Sequence, residues 1–132
     1  MDPAAARLLD DELVGWLTTV APSGQPQSSI VWFLRDGDDL LVYSQARAQK
    51  LRNIEVNPMV AFNLRSDADG DEVLTAEGHA SVVPDARPAH EDEAYVAKYD
   101  ASIRRLGWTP PDFAGEYPVL IRLEVTRLHC PE

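Results

Sequence analysis

Three β-forming runs follow one another in the first third of the chain with nothing longer than a turn between them. Residues 16–20, 27–34 and 40–44 are rich in β-branched, aromatic and leucine side chains. The intervening stretches, Ala21-Pro22-Ser23-Gly24 and Arg35-Asp36-Gly37-Asp38-Asp39, have turn composition. Parallel neighbours need a crossover of a dozen or more residues, usually a helix. Two hairpins in succession therefore predict an antiparallel meander and exclude a doubly wound sheet.

The rest of the chain adds strands and short helices to that start. Leu8, Leu9 and Leu13 predict a helix over residues 4–13. Residues 46–57 read as a short helix, closed at Asn57-Pro58 because the residue before proline avoids helical geometry. Residues 59–64 return to strand, 66–71 form a loop, and 73–83 make a longer strand. Gly78 within it marks a bulge or a close backbone approach. Residues 84–88 break the pattern, and residues 89–106 read as a helix with Tyr95, Tyr99, Ile103 and Leu106 on one stripe. Residues 108–111 read as a linker and 117–128 as the final strand. The expected fold is mainly β, a small six-stranded antiparallel barrel with short helices, as a single domain over residues 1–132.

Composition removes several function classes. A net charge of −10 argues against nucleic acid as a partner, since phosphate backbones demand a basic surface. No run approaches the roughly 20 apolar residues that span a bilayer, so no membrane partner is expected. The first residues lack the basic and apolar regions of a secretory signal, and the expectation is a cytoplasmic protein. Cys130 is the single cysteine, and His79, His90 and His129 lack metal-ligand spacing, so no metal site is expected. Nucleophile-elbow, phosphate-loop and dinucleotide-binding signatures are absent.

Against that acidic background one basic cluster stands out, Arg47-Ala48-Gln49-Lys50-Leu51-Arg52. At about 100° per residue, Arg47, Lys50, Leu51 and Ile54 fall on one half of the predicted helix. Both basic heads then emerge at its first turn, where free N–H groups and the macrodipole favour an anion. Tyr43, Ser44 and Gln45, at the end of the preceding strand, offer hydroxyl and amide donors. A phosphate suits such a place. Snorkelling, with stems on the core rim and heads in water, accounts for the same pattern. In the second strand Ser28, Ile30 and Trp32 face one side and Ser29, Val31 and Phe33 the other. A wall of small polar and aromatic groups fits the edge of a tricyclic ring, and plain core packing is the better reading for Phe33.

The order of motifs resembles a known superfamily. Gly15-Trp16-Leu17-Thr18-Thr19-Val20, Gly24-Gln25-Pro26-Gln27, Val31-Trp32-Phe33, Tyr43-Ser44, Arg47-x-x-Lys50-x-x-Asn53-Ile54 and Asn57-Pro58 are similar to the pyridoxamine 5'-phosphate oxidase-like, FMN-binding split-barrel proteins. Tyr95-Val96-Ala97-Lys98-Tyr99, Leu106-Gly107-Trp108-Thr109-Pro110 and the stretch from Tyr117 to Leu128 look most like the branch that uses coenzyme F-420, a deazaflavin. The resemblance implies a six-stranded split barrel that forms a homodimer, with the cofactor in a groove at the interface. It implies that Arg47 and Lys50 hold a cofactor phosphate beside Ser44 and Tyr43. Gln27, Ser28, Ser29, Val31 and Trp32 would then lie along the ring system, with Trp108 or Tyr117 candidates for reaching across from the partner. True pyridoxamine-phosphate oxidases are longer and hold the vitamin's phosphate with arginine and histidine residues; the stretch from Arg122 to His129 offers arginines but no matching motif, which argues against vitamin oxidation as the activity.

The implied activity is hydride transfer from reduced F-420 to a small organic acceptor, which needs positioning more than acid–base help. No catalytic residue is assigned. Two alternatives belong to the same groove: FMN with an oxidase or flavin-reductase activity, and a non-enzymatic cofactor- or tetrapyrrole-binding protein.

Overall fold

A computed structural model of the chain describes residues 1–70 and 74–130. Asp71, in the predicted loop, and Val73, at the predicted strand start, lie outside the described residues. Helix α1 (Pro3–Asp11) begins where Asp2 accepts from the Ala4 N–H and Pro3 takes the first helical position. Strands β1 (Gly15–Val20), β2 (Pro26–Val31), β3 (Leu34–Asp36) and β4 (Asp39–Ser44) follow, then helix α2 (Gln49–Val56). Strands β5 (Met59–Asn63) and β6 (Thr75–Val82) precede a single 3-10 turn, helices α3 (Glu93–Arg105) and α4 (Pro110–Glu116), and strand β7 (Val119–His129). Among the described residues no helix is long and apolar enough to cross a membrane.

The strands form one antiparallel sheet in the order β2-β1-β5-β6-β7-β4-β3, and the split-barrel class holds. It has seven strands rather than six. The predicted run 27–34 is broken after Val31, and its end belongs to a separate strand paired with β4. At the break the Phe33 backbone bonds to α3 instead of to a strand. Its N–H donates to Tyr99 Oη at 2.8 Å, and its carbonyl accepts from Lys98 Nζ at 2.9 Å. The single Tyr99 proton is then available to the Leu13 carbonyl at 2.7 Å.

Two hydrophobic clusters lie on opposite sides of this sheet. One fills the barrel with Leu17, Val31, Phe33, Leu40, Val42, Phe62, Ile121 and Leu123. The other packs Leu41, Tyr43 and Leu120 against Tyr95, Tyr99, Ile103 and Phe113 of α3 and α4. Strict alternation sends Leu40 and Val42 one way and Leu41 and Tyr43 the other, so β4 is buried on both faces. Helix α4 begins inside the predicted linker and runs beyond it: Thr109 and Asp112 form a reciprocal capping box, and prolines at the first helical positions are compatible with that start.

All four tyrosines of the chain enter the second cluster. Tyr99 stacks on Trp32 at 4.7 Å and Trp32 on Phe113 at 5.2 Å, each pair nearly coplanar. Tyr95 is fully buried and its hydroxyl has no hydrogen-bond partner among the described residues. An orphaned buried hydroxyl costs on the order of 1–3 kcal/mol, whereas deleting a satisfied one strands its partners. Tyr95→Phe is therefore expected to leave stability unchanged or raise it by about 1 kcal/mol. Tyr99→Phe should lower it by about 2 kcal/mol, because the Phe33 N–H loses its acceptor. Urea midpoints of the two variants check this, and a larger loss in Tyr95→Phe would contradict it.

Lys98 ties three elements together. Its Nζ reaches Leu9 O at 3.0 Å, in the last turn of α1, and lies 3.9 Å from the Phe33 ring centroid. Burial pulls its pKa down to about 8, against the opposing pull of Asp10, Glu12 and Asp11. The folded state thus holds fewer protons than the unfolded one between about pH 8 and the ordinary lysine value of 10.5. Over that window Lys98 adds stability as pH rises, and the contribution is lost as pH falls back through 8. The stability of wild type relative to Lys98→Met, from urea curves at about pH 7.5 and 10, is expected to increase with pH.

Candidate functional site

The sheet edge, the turn before α2 and the two C-terminal helices meet around a cavity of about 290 Å³. Val31 and Trp32 form one wall, Tyr43 and Ser44 the floor at the end of β4, and Lys50 the α2 side. Leu106, Phe113 and Tyr117 complete the lining. Phe113 stacks on Tyr117 at 4.7 Å, so the rings Tyr99, Trp32, Phe113 and Tyr117 form one continuous stack with three of its members at the cavity.

Among the described residues, Lys50 is the only charged side chain of the lining. It is half-buried, and desolvation pushes its pKa below the usual lysine value, with no carboxylate among the described residues acting to restore it. An ammonium held in a partly dry cavity without a counter-ion attracts an anion from outside the chain. That argument separates this cavity from a larger one beside Glu12 and Arg65, whose opposite charges pair with each other.

The structure brings Val31, Trp32, Tyr43, Ser44 and Lys50 of the predicted set to this cavity, and leaves the other four outside its lining. Arg47 is exposed and precedes the helix. Ala48, in extended conformation, is the N-cap, so α2 starts at Gln49 rather than at residue 46. The reason is the turn closed by the Ala48 N–H on Gln45 O, which holds residues 45–48 out of the helix. Two expected donors are also engaged within the chain. The Tyr43 hydroxyl donates to Arg87 O at 2.9 Å and the Ser44 hydroxyl to Gln45 O at 3.0 Å, leaving both oxygens able to accept only.

Gln27, Ser28 and Ser29 continue along β2. Ser28 is exposed and shares a 2.7 Å hydrogen bond with Thr18 on the outer face. Ser29, half-buried, pairs with Leu17. Gln27 is exposed, and its Oε1 accepts from Asn53 Nδ2 at 2.8 Å. Asn53 lies one turn after Lys50 on α2, so Gln27 continues the same edge. Phe113 and Leu106 escape the sequence reading. The Thr109-x-x-Asp112 box is the available signal for the helix that carries Phe113.

Residues 1–129 match the family model described as pyridoxamine 5'-phosphate oxidase. No curated protein matches the chain. Among solved structures it is similar to an F420 reductase, with 29% identity over 93% of this chain and 94% of that one, and a TM-score of 0.70. General Stress Protein 26 from Bacillus anthracis str. Sterne is 26% identical over 96% and 91% of the two chains, with a TM-score of 0.68. HutZ, the heme storage protein from Vibrio cholerae, shares the fold at 23% identity, over 98% and 93%, with a TM-score of 0.68.

Proposed function

The chain belongs to the pyridoxamine 5'-phosphate oxidase family, and we propose that it is an oxidoreductase that uses the deazaflavin coenzyme F-420 to reduce a small organic acceptor. The observation that carries this reading is the half-buried Lys50, without an ion-pair partner among the described residues, in a cavity lined by aromatic rings, a place for a planar ring with an anionic tail. Likeness to the F420 reductase favours the deazaflavin over FMN. When bound, the reduced coenzyme supplies a hydride, and its ring disfavours the one-electron chemistry by which flavins reach oxygen.

The chain's own residues fit such a group in part. Lys50 would hold the phosphate, with Arg47 able to swing in from the exposed turn before the helix. Trp32 and Val31 would flank the ring, and Gln27, Ser28 and Ser29 would continue along its edge. Tyr43 and Ser44, with oxygens that only accept, suit N–H or O–H groups of the ligand better than its phosphate oxygens. A cavity of about 290 Å³ is at the lower limit for a cofactor of this size, which supports a groove completed by a second copy of the chain. Trp16 and Ile30, directly paired across β1 and β2, are 41% and 58% exposed, and Met59 on β5 is 61% exposed. This outer apolar face suits a homodimer.

The haem-storage alternative finds less support, since the described residues of the cavity lining include no histidine, cysteine or methionine. Parallel fluorescence titrations of the purified protein with F-420 and with FMN test the reading. Micromolar or tighter binding of F-420 and weaker binding of FMN are expected. Preference for FMN would replace the deazaflavin reading, and binding of neither would overturn both.

A further inference from the structure

Four polar side chains form an unbroken chain from the exposed face of α2 to the edge of β2. Arg52 Nη2 donates to Gln49 Oε1, and its Nη1 is held by Arg47 O at 3.1 Å. Gln49 Nε2 donates to Asn53 Oδ1 at 2.9 Å. Asn53, fully buried, directs its two N–H groups to Thr19 Oγ1 at 2.9 Å and Gln27 Oε1 at 2.8 Å. The last group, Gln27 Nε2, has no partner among the described residues.

An amide can flip end for end, and a chain of three amides has two self-consistent directions. In one, every amide donates toward β2 and Gln27 shows a donor outward. In the other, every amide is reversed and Gln27 shows an acceptor. Thr19 accommodates both, because a hydroxyl donates or accepts. Arg52 does not: a guanidinium has only donors, so the oxygen of Gln49 must face it. That choice fixes Gln49, then Asn53, then Gln27.

From this geometry we infer that Arg52 is a specificity-determining residue, which sets the direction of the amide chain so that Gln27 presents N–H at the exposed edge of β2 that continues from the cavity, where a bound cofactor would meet it. The inference rests on the groove reading above for the identity of the ligand. The matching ligand group is a hydrogen-bond acceptor, a carbonyl oxygen of a ring imide rather than a ring N–H. Asn53 is a positioning residue that transmits the choice, and its complete burial in a saturated set of bonds explains a polar side chain in the interior.

Two measurements test this. The first is a double-mutant cycle on the affinity for F-420 and FMN, using wild type, Arg52→Met, Gln27→Ala and the double variant. Each single variant is expected to weaken the better-bound cofactor by about tenfold, and the double variant no more than about twofold beyond Gln27→Ala. If the Arg52→Met loss recurs in full on the Gln27→Ala background, Arg52 acts only as surface charge and the relay is overturned. An unchanged affinity in Gln27→Ala overturns it too.

The second needs no cofactor. Arg52→Glu puts an acceptor where only donors stood, so the chain should reverse and draw Gln27 Nε2 into a bond with Asn53. Slower exchange of the Gln27 side-chain amide protons, followed by NMR, is expected in that variant, and unchanged exchange overturns the relay. Failure of the wild type to bind either cofactor, with the exchange shift intact, instead overturns the groove reading and the assigned ligand class.

Discussion

Lys50→Met is expected to weaken binding of the flavin-type cofactor about 100-fold while the folded protein becomes more stable. The two effects have one cause. Burial already disfavours the ammonium, and no carboxylate among the described residues offsets the cost, so a neutral side chain of similar length relieves it. The same substitution removes the single charge of the described cavity lining, and loss of a desolvated charge partner typically costs about 2–5 kcal/mol of binding. Binding should also lose most of its salt dependence in the variant. Titration of both proteins at low and high salt, beside thermal melts, checks all three points. A variant that keeps wild-type affinity would remove Lys50 from the site, and one that melts lower would show that its stem, not its charge, dominates.

Gly78→Ala is expected to cost about 3–5 kcal/mol and to lower the melting temperature by roughly 10 °C or more. A β-carbon at this position would sit 2.1 Å from Glu124 O and 2.9 Å from Glu124 C, atoms of the neighbouring backbone that cannot rotate away. The close approach comes from an irregularity between β6 and β7. Glu77 faces Arg127 and Gly78 faces Val125, so Thr126 is the extra residue on β7. Gly15 is crowded by a side chain instead, since a β-carbon added there would lie 2.3 Å from the Phe62 ring. Gly15→Ala should therefore cost less than Gly78→Ala, because a ring can shift where a carbonyl cannot. Denaturant curves of the pair test the order, and a loss under about 1 kcal/mol in Gly78→Ala would mean that the two strands slip into a new register.

Most of the sheet was legible because its signals are local. Turn residues at 21–24 and 35–39 mark the ends of hairpins, and the Gly78 irregularity follows from a glycine inside a strand pattern. The break after Val31 was not legible. Periodicity runs on through Trp32 and Phe33, and what stops the ladder is a lysine and a tyrosine 65 and 66 residues away. Helix α4 was hidden for a different reason: Pro110-Pro111 reads as a breaker when its neighbours are ignored and as a first turn once Thr109 and Asp112 are paired. At the site, Lys50, Ser44, Tyr43, Trp32 and Val31 line one cavity. The displacement of Arg47 and the engaged hydroxyls of Tyr43 and Ser44 depend on single backbone carbonyls, which no residue pattern encodes.

The cavity lies on the seam between the two hydrophobic clusters. Val31 belongs to the barrel, whereas Tyr43, Trp32, Phe113 and Tyr117 belong to the helical side. Each cluster has its own contacts, so the helical cap and the barrel can loosen from each other at less cost than either melts. A ligand touching both sides acts as a weld. Part of its binding energy then appears as cohesion, and occupancy should slow amide exchange in the consecutive helices α3 and α4 together with α2, which lies far from them in the chain.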